Sequence, residues 1–382
     1  MSVHELALQR SKYAHLSDEE WRWFLQQVEG RERTADKLPA FAAINEWWYP
    51  VRLSCEQCSS ELTARYKAEI ITPYTIHHTP STMVDLTGGY GVDTFFLSTQ
   101  FAHTDYVEQN AELCRIAAHN KGLWVTDGLR EIAVHHSTAE DFLQTAGLYD
   151  LLYMDPARRD SHGGKVFRLE DCTPNVVEML PTLLAHLTPD GRLMLKLSPM
   201  LDITQAVHAL SALSWDVHVV AVKNEVKEVL MLSGGTGRIT ATDLAKKEQA
   251  FVFTREEERD CPFTPSPLHP FTFLYEPNAA ILKAGAYKLI AQRFALTKLD
   301  INTHLYVSDT LVENFPGRVW KIQDEGMKTE RLKGQQANVL VRNYPLTAEQ
   351  LKKKLHLRDG GDTFLIGCRI NGKPVLLQSA RI

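Results

Sequence analysis

Asp85-Leu86-Thr87-Gly88-Gly89-Tyr90-Gly91-Val92-Asp93 decides the fold. It follows the apolar pair Met83-Val84 and precedes an amphipathic segment, Thr94 to Phe101, so it reads as a strand, a glycine turn and a helix. Such a turn offers backbone N–H groups and a helix N-terminus to a ligand, and its glycines let the ligand approach the main chain closely. Asp85 ends the strand just before the glycines, where it repels a pyrophosphate and attracts a cation such as the ammonium or sulfonium of S-adenosylmethionine. The dinucleotide fingerprint G-x-G-x-x-G fits badly: counting from Gly89, Gly91 matches but the third glycine is Thr94. No lysine follows Gly91, so a phosphate-binding loop is excluded. A tight turn without a ligand is the plain alternative.

Outward from this turn, strands alternate with helices. Asp105-Tyr106-Val107-Glu108 is a second strand, and Glu108 has about the spacing at which an acid ending that strand reaches ribose hydroxyls. Ala111 to Leu123 reads as a helix and Ile132-Ala133-Val134 as a strand followed by the helix start Ser137-Thr138-Ala139-Glu140. Asp150 to Met154 is the continuous apolar strand expected of one buried on both faces, and it ends in Asp155-Pro156-Ala157-Arg158. A helix over 175–186, the strand Arg192 to Leu197, a helix over 203–213 and strands at 217–222 and 226–233 complete the region, and Gly234-Gly235-Thr236-Gly237 is expected to close it. This alternation predicts a doubly wound α/β sheet, in which ligand-binding groups gather at the carboxyl ends of the strands. Asp85, Glu108, Thr138, Asp155 and Lys196 all fall there.

Residues 83–233 resemble a class I S-adenosylmethionine-dependent methyltransferase, and the D-x-T-x-G-x-G-x-D spacing over 85–93 is similar to that of a bacterial 16S rRNA guanine-N2 methyltransferase. The whole chain resembles a bacterial family that joins such a domain to a ferredoxin-like segment and a C-terminal THUMP-like domain. Cys58-Ser59-Ser60-Glu61, Asp155-Pro156-Ala157-Arg158-Arg159-Asp160, Lys196-Leu197-Ser198-Pro199 and Arg342-Asn343-Tyr344-Pro345 carry that resemblance. It implies a Rossmann-like seven-stranded methyltransferase domain over 81–235, after an N-terminal helical region at 1–80. A ferredoxin-like domain at 236–304 and a THUMP-like domain at 305–382 follow, both small α+β domains. It further implies that Asp85, Thr87, Gly88, Gly89, Gly91 and Asp93 hold the methionine end of S-adenosylmethionine and Glu108 its ribose. Thr138, Ala139 and Glu140 would line the adenine, and Asp155 would face the sulfonium and the acceptor. THUMP-like domains are associated with RNA binding, so the implied substrate is RNA and the implied reaction methylation of a base.

Asp155, Pro156, Arg158 and Lys196 are the candidate catalytic residues. Methyltransferases acting on exocyclic amines usually carry [DN]-P-P-[YFW], in which the carboxylate and a backbone carbonyl accept the amine protons and the aromatic stacks on the base. Ala157 and Arg158 depart from that pattern, leaving Arg158 to stack through its guanidinium or clamp a phosphate. Two other mechanisms stay open. D-P-A-R is similar to the D-P-P-R of uracil-C5 methyltransferases, with Cys172 as the nucleophile. A Lys-Asp-Lys-Glu tetrad for ribose 2′-O methylation has candidates, in chain order, in Lys67, Asp155, Lys196 and Glu225 or Glu228; a solvated ion pair beside the site is the plain reading of the same residues. Asp160 to Lys165, small and glycine-containing, is a candidate closing loop or an ordinary connection.

The chain has 382 residues, a formal net charge of −5 and 23% charged residues, an ordinary composition for two to four soluble domains. No apolar run reaches membrane-spanning length and Met1 to Glu5 opens no secretory signal, so a cytoplasmic location without membrane is expected. Of six cysteines only Cys55 and Cys58 are paired, and with His77 and His78 they compose a weak candidate zinc set; no metal is expected. Residues 300–382 carry 13 lysines and arginines against nine aspartates and glutamates, with Lys352, Lys353 and Lys354 consecutive on a short helix. Ser17 to Glu20 and Thr347 to Gln350 are capping boxes, Asn371-Gly372 is a hairpin turn, a helix is expected to start near Pro277, and Trp47-Trp48-Tyr49 reads as packing rather than a base-stacking platform. Methylation of a small molecule or protein, and RNA binding without turnover, are the alternative functions. No oligomeric state follows from the sequence.

Overall fold

The glycine turn sits at the end of strand β1 (Thr82–Asp85), at the centre of a parallel sheet. The computed structural model describes residues 3–75, 81–125, 128–158, 168–245, 250–263, 271–325 and 333–382. Chain order continues with β2 (His103–Glu108), β3 (Glu131–His136), β4 (Tyr149–Met154), the two-residue strands β5 (Ala157–Arg158) and β6 (Cys172–Thr173), β7 (Leu187–Leu197), β8 (Trp215–Val222) and β9 (Glu225–Ser233). The described residues fold as two units, 1–215 with 230–235 and 216–229 with 236–382.

In the first unit the sheet runs β9-β7-β4-β1-β2-β3, with β1, β2, β3, β4 and β7 parallel. Leu151, Leu152, Tyr153 and Met154 of β4 are all buried, as their unbroken apolar run requires. The register sets Asp85 beside Tyr106 of β2 and Tyr153 of β4, so the carboxyl ends of the central strands lie level.

The helix after the turn, Val92–Leu97, departs from the amphipathic expectation: all six residues are buried. The N-terminal region covers its outer face. Helix Asp18–Thr34 opens on the expected capping box, with Ser17 accepting from the Glu20 N–H and Glu20 from the Ser17 N–H. Phe41 stacks on Trp47 at 4.2 Å, and both rings meet Phe95 edge-on at 5.9 and 5.4 Å. The Trp47 indole donates to the Tyr90 hydroxyl at 2.9 Å, and Asn120 both accepts from the Trp48 N–H and donates to its carbonyl. The aromatic run is therefore packing. Each such ring pair contributes about 0.5–1.5 kcal/mol beyond its buried area.

In the second unit β10 (Arg238–Asp243) follows the glycine run Gly234 to Gly237 and pairs parallel to β8, with β11 (Phe251–Thr254) antiparallel beside it. A second sheet has seven strands: β12 (Phe273–Pro277), β13 (Thr297–Asp300), β14 (Thr303–Ser308), β15 (Gly317–Glu325), β16 (Asn338–Val341), β17 (Thr363–Ile370) and β18 (Lys373–Arg381), in the order β13-β14-β12-β15-β18-β17-β16. Pro277 still pairs with Gly317, so the helix expected near it begins only at Ala279, with Asn278 as its cap. Asn371 and Gly372, with φ of 48° and 78°, form the predicted two-residue turn between β17 and β18. Helix Ala348–Leu355 opens on the Thr347–Gln350 capping box; it buries Leu351 and Leu355 and leaves Lys353 and Lys354 exposed, while Lys352 pairs with Asp359. No described helix is long and apolar enough to cross a membrane.

Candidate active site

A cavity of about 310 Å³ opens at the carboxyl ends of the central strands of the first unit. Asp85, Thr87, Gly88, Gly89, Gly91, Asp93, Glu108, Thr138, Ala139, Glu140, Asp155 and Lys196 all line it, so twelve of the fourteen candidate residues come together. Pro156 is buried directly behind Asp155. Arg158 contributes backbone to the β5–β6 pair, opposite Cys172; its side chain lies outside the described residues, as do Arg159, Asp160 and the loop to Lys165.

The turn is built around one buried carboxylate. Asp85, 1% exposed, accepts the Thr87 N–H at 2.9 Å and the Thr94 hydroxyl at 2.5 Å. Burial raises its pKa to about 7 against these two hydrogen bonds. Gly88 lies against the Tyr106 ring, which a Cβ there would meet at 2.2 Å; Gly91 caps the helix with φ 85°. The Tyr106 hydroxyl donates to the Gly89 carbonyl at 2.6 Å. Glu108 accepts the Gly89 N–H on one oxygen and the Asn110 N–H on the other, at 2.9 and 2.8 Å, which fixes its carboxylate at the rim and leaves each oxygen a lone pair for a further donor. Thr138 caps helix Ala139–Leu143, its hydroxyl accepting from the Asp141 N–H.

Asp93 lines the cavity and is also tied from the protein side. Its carboxylate is the centre of a buried cluster: Lys67 Nζ at 3.2 Å, Lys196 Nζ at 3.5 Å, the Ser59 hydroxyl at 2.8 Å and the Tyr153 hydroxyl at 2.7 Å. Burial alone would raise its pKa; the two lysines and two hydroxyls outweigh that and hold it below the usual carboxylate range. Lys67 is fully buried. Lys196 continues outward to Asp155, at 2.6 Å from Oδ2, and Asp155 is fixed to the turn by its own N–H donating to Thr87 Oγ1 at 2.7 Å.

Of the Lys-Asp-Lys-Glu candidates, Lys196 and Asp155 form an ion pair. Lys67 and Lys196 do meet, through Asp93, with Asp155 on the far side of Lys196. Glu225 is exposed and pairs with Lys227. Cys172 is buried, its thiol 3.9 Å from the Arg168 carbonyl. Cys55 and Cys58 each donate to a backbone carbonyl; burial raises both thiols, Cys55 to about 12, and the histidines proposed to join them lie outside the described residues. Among the described residues no cluster of three histidines, cysteines or acids could hold a metal.

Sequence reasoning missed the N-terminal wall: Ser54, Gln57, Cys58 and Ser59 line the cavity, as do Thr173 and Pro174 opposite Ala157. The string Cys58-Ser59-Ser60-Glu61 was the available signal, but nothing in its spacing assigns Ser59 to a contact 34 residues away.

A crystal structure of a proposed methyltransferase from Porphyromonas gingivalis W83 is similar over nearly the whole chain, with 31% identity, 96% of this chain and 92% of that one covered, and a TM-score of 0.83. The chain belongs to that protein's family. A ferredoxin-like domain matches residues 273–316 and a THUMP-like domain residues 317–381 of this methyltransferase family member. Their junction falls between β14 and β15, and β12 of the first pairs with β15 of the second, so the two domains share one sheet. A S-adenosylmethionine-dependent methyltransferase from Agrobacterium tumefaciens matches 34% of this chain and 43% of its own, at 21% identity and a TM-score of 0.27. A class I S-adenosylmethionine-dependent methyltransferase from Listeria monocytogenes matches 48% and 62%, at 10% identity and 0.37. No curated relative matches.

A buried acid whose folded pKa is raised adds stability below its unfolded pKa and loses it as pH rises through the folded value. The ligand-free protein should therefore lose stability between pH 4 and 7 through Asp85, and Asp85→Asn should remove that loss. Thermal unfolding of both proteins across this window checks it. Parallel pH profiles would contradict the assignment.

Proposed function

We propose that the protein is an S-adenosylmethionine-dependent methyltransferase acting on a base in RNA, with Asp155 and Lys196 at the acceptor. The observation that carries this reading is that one cavity gathers Asp85, the glycine turn, Glu108, the Thr138–Glu140 edge and Asp155. The residues fit the cofactor. The Asp85 carboxylate, raised to about 7 by burial, calls for a cation beside it. Glu108 offers both oxygens at the rim for a pair of hydroxyls, and the glycines leave main chain open between the two acids. The cofactor supplies a methyl group already activated on a sulfonium, so the protein's work is chiefly to position the acceptor. The RNA half of the proposal rests on the THUMP-like domain at 317–381 and on the exposed Lys353 and Lys354 of helix Ala348–Leu355.

Transfer of labelled methyl from S-adenosylmethionine to total RNA from cells lacking the protein, beside RNA from normal cells, tests it. Label entering only the deficient RNA is expected; label in neither would refute RNA as the substrate. Glu108→Ala should weaken S-adenosylmethionine binding more than tenfold by calorimetry, since two hydroxyls lose a charged acceptor. Replacing Lys353 and Lys354 with alanine should lower the slope of log affinity against log salt for RNA by roughly one to two, at 0.7–0.9 per phosphate contact. An unchanged slope would remove this helix from the RNA surface.

A further inference from the structure

Resting on the reading of RNA as the substrate, we infer that Arg318 and Arg342 form a phosphate site in the second unit, which holds one backbone phosphate of the RNA. Glu276 on β12 sits opposite Arg318 on β15 in the strand register, so their side chains share a face of the sheet. Arg342 reaches the same carboxylate from the chain that leaves β16. Glu276 is 2% exposed, and each of its oxygens accepts from a different arginine: Oε2 from Arg318 Nη2, and Oε1 from Arg342 Nε.

The string Arg342-Asn343-Tyr344-Pro345 delivers the second guanidinium. The Arg342 N–H donates to the Gly367 carbonyl at 2.8 Å, continuing the β16–β17 ladder. Asn343 turns the chain with a φ of 54° and donates from Nδ2 to Thr303 Oγ1 at 3.3 Å. The Tyr344 ring lies against Gly367, where a Cβ would meet it at 3.0 Å. Arg342 Nη1 donates to the Val341 carbonyl at 2.8 Å, and Arg318 lies over the buried Trp320 ring at 5.5 Å. Both guanidiniums are thus placed by the fold before a ligand arrives, so little ordering is lost on binding.

The arrangement holds more cation than Glu276 needs. One guanidinium satisfies a carboxylate by itself when its fork takes both oxygens. Here the two oxygens are divided between two arginines, which leaves one positive charge in excess. Neither arginine pairs with another acid among the described residues, and most N–H groups of each have no partner there. Their side chains are 29% and 38% exposed, so these donors reach solvent. A phosphodiester carries one negative charge and accepts several hydrogen bonds on its non-bridging oxygens, which matches this excess charge and these planar donors. Glu276 lies in the ferredoxin-like match and both arginines in the THUMP-like match, so the site is complete only where the shared sheet joins them. Lys353 and Lys354 lend charge on flexible stems. Arg318 and Arg342 fix the place of one phosphate, and such contacts set the register of an RNA without reading its sequence.

Binding of the full chain to a short RNA hairpin, measured across a range of salt concentrations, tests the inference. Arg318→Gln and Arg342→Gln should each lower the slope of log affinity against log salt by about 0.7–0.9, the share of one phosphate, with S-adenosylmethionine binding unchanged. An unaltered slope in both variants would overturn the inference and leave RNA binding standing. No binding of RNA by the unsubstituted protein would instead overturn the RNA reading, and this inference with it. If the glutamine variants fail to fold, Arg318→Lys and Arg342→Lys decide, because lysine keeps a cation on Glu276 but loses the fork. Their RNA affinity should fall roughly fivefold or more, and unchanged affinity would overturn the inference. Polyglutamate that displaces the hairpin as well as an equal charge of competing RNA does would assign the pair to an acidic peptide and overturn it too.

Discussion

Two lysines share one buried aspartate, and much of the first unit is organised around that contact. Asp93 lies on the helix after the glycine turn, Lys67 on helix Glu61–Thr75, Tyr153 on β4 and Lys196 on β7, so one carboxylate ties the N-terminal region, the turn and two sheet strands together. Taking these charges out of water is costly, and mutual attraction offsets the cost only while every partner is present. Removing a single partner leaves an uncompensated buried charge, at about 3–5 kcal/mol. The N-terminal helices are therefore a wall of the cavity as well as a cover for the sheet.

Asp85 is the counterpart on the opposite side of the turn. It accepts hydrogen bonds from Thr87 and Thr94 but pairs with no cation among the described residues, and burial moves it toward the neutral form. Asp93, at equal depth, is held ionised by its lysines. The two acids lie eight residues apart on the same motif, and their environments shift them in opposite directions, Asp85 up and Asp93 down. In the proposed function, the first acid would face the cofactor's cationic end and the second would hold Lys196 in place.

The parts of this arrangement visible in the sequence were those set by local spacing. The position of Asp85 at a strand end, the glycines that follow and Glu108 at the end of the next strand each follow from periodicity, and the structure places them as expected. The doubly wound sheet was legible for the same reason, as were the two capping boxes and the Asn371-Gly372 turn. Contacts across the chain were not. The sequence offered Lys67 only by its order in a candidate tetrad and Ser59 only within a string of the family resemblance, and neither could be assigned to Asp93, which comes from a separate element. Helix Val92–Leu97 read as amphipathic since its covering layer, with Phe41 and Trp47, lies some 50 residues earlier. The shared sheet of the C-terminal domains depends on the β12–β15 pairing, which no local pattern records.

The most direct test of the account is the proton balance of S-adenosylmethionine binding, measured by calorimetry in two buffers of different ionisation enthalpy between pH 6 and 7.5. If Asp85, with its pKa near about 7, ionises against the ligand's cationic end, binding at pH 6 should release close to one proton and tighten as pH rises, and Asp85→Asn should abolish both effects. Binding with no proton release and a flat pH dependence, or no binding at all, would contradict it.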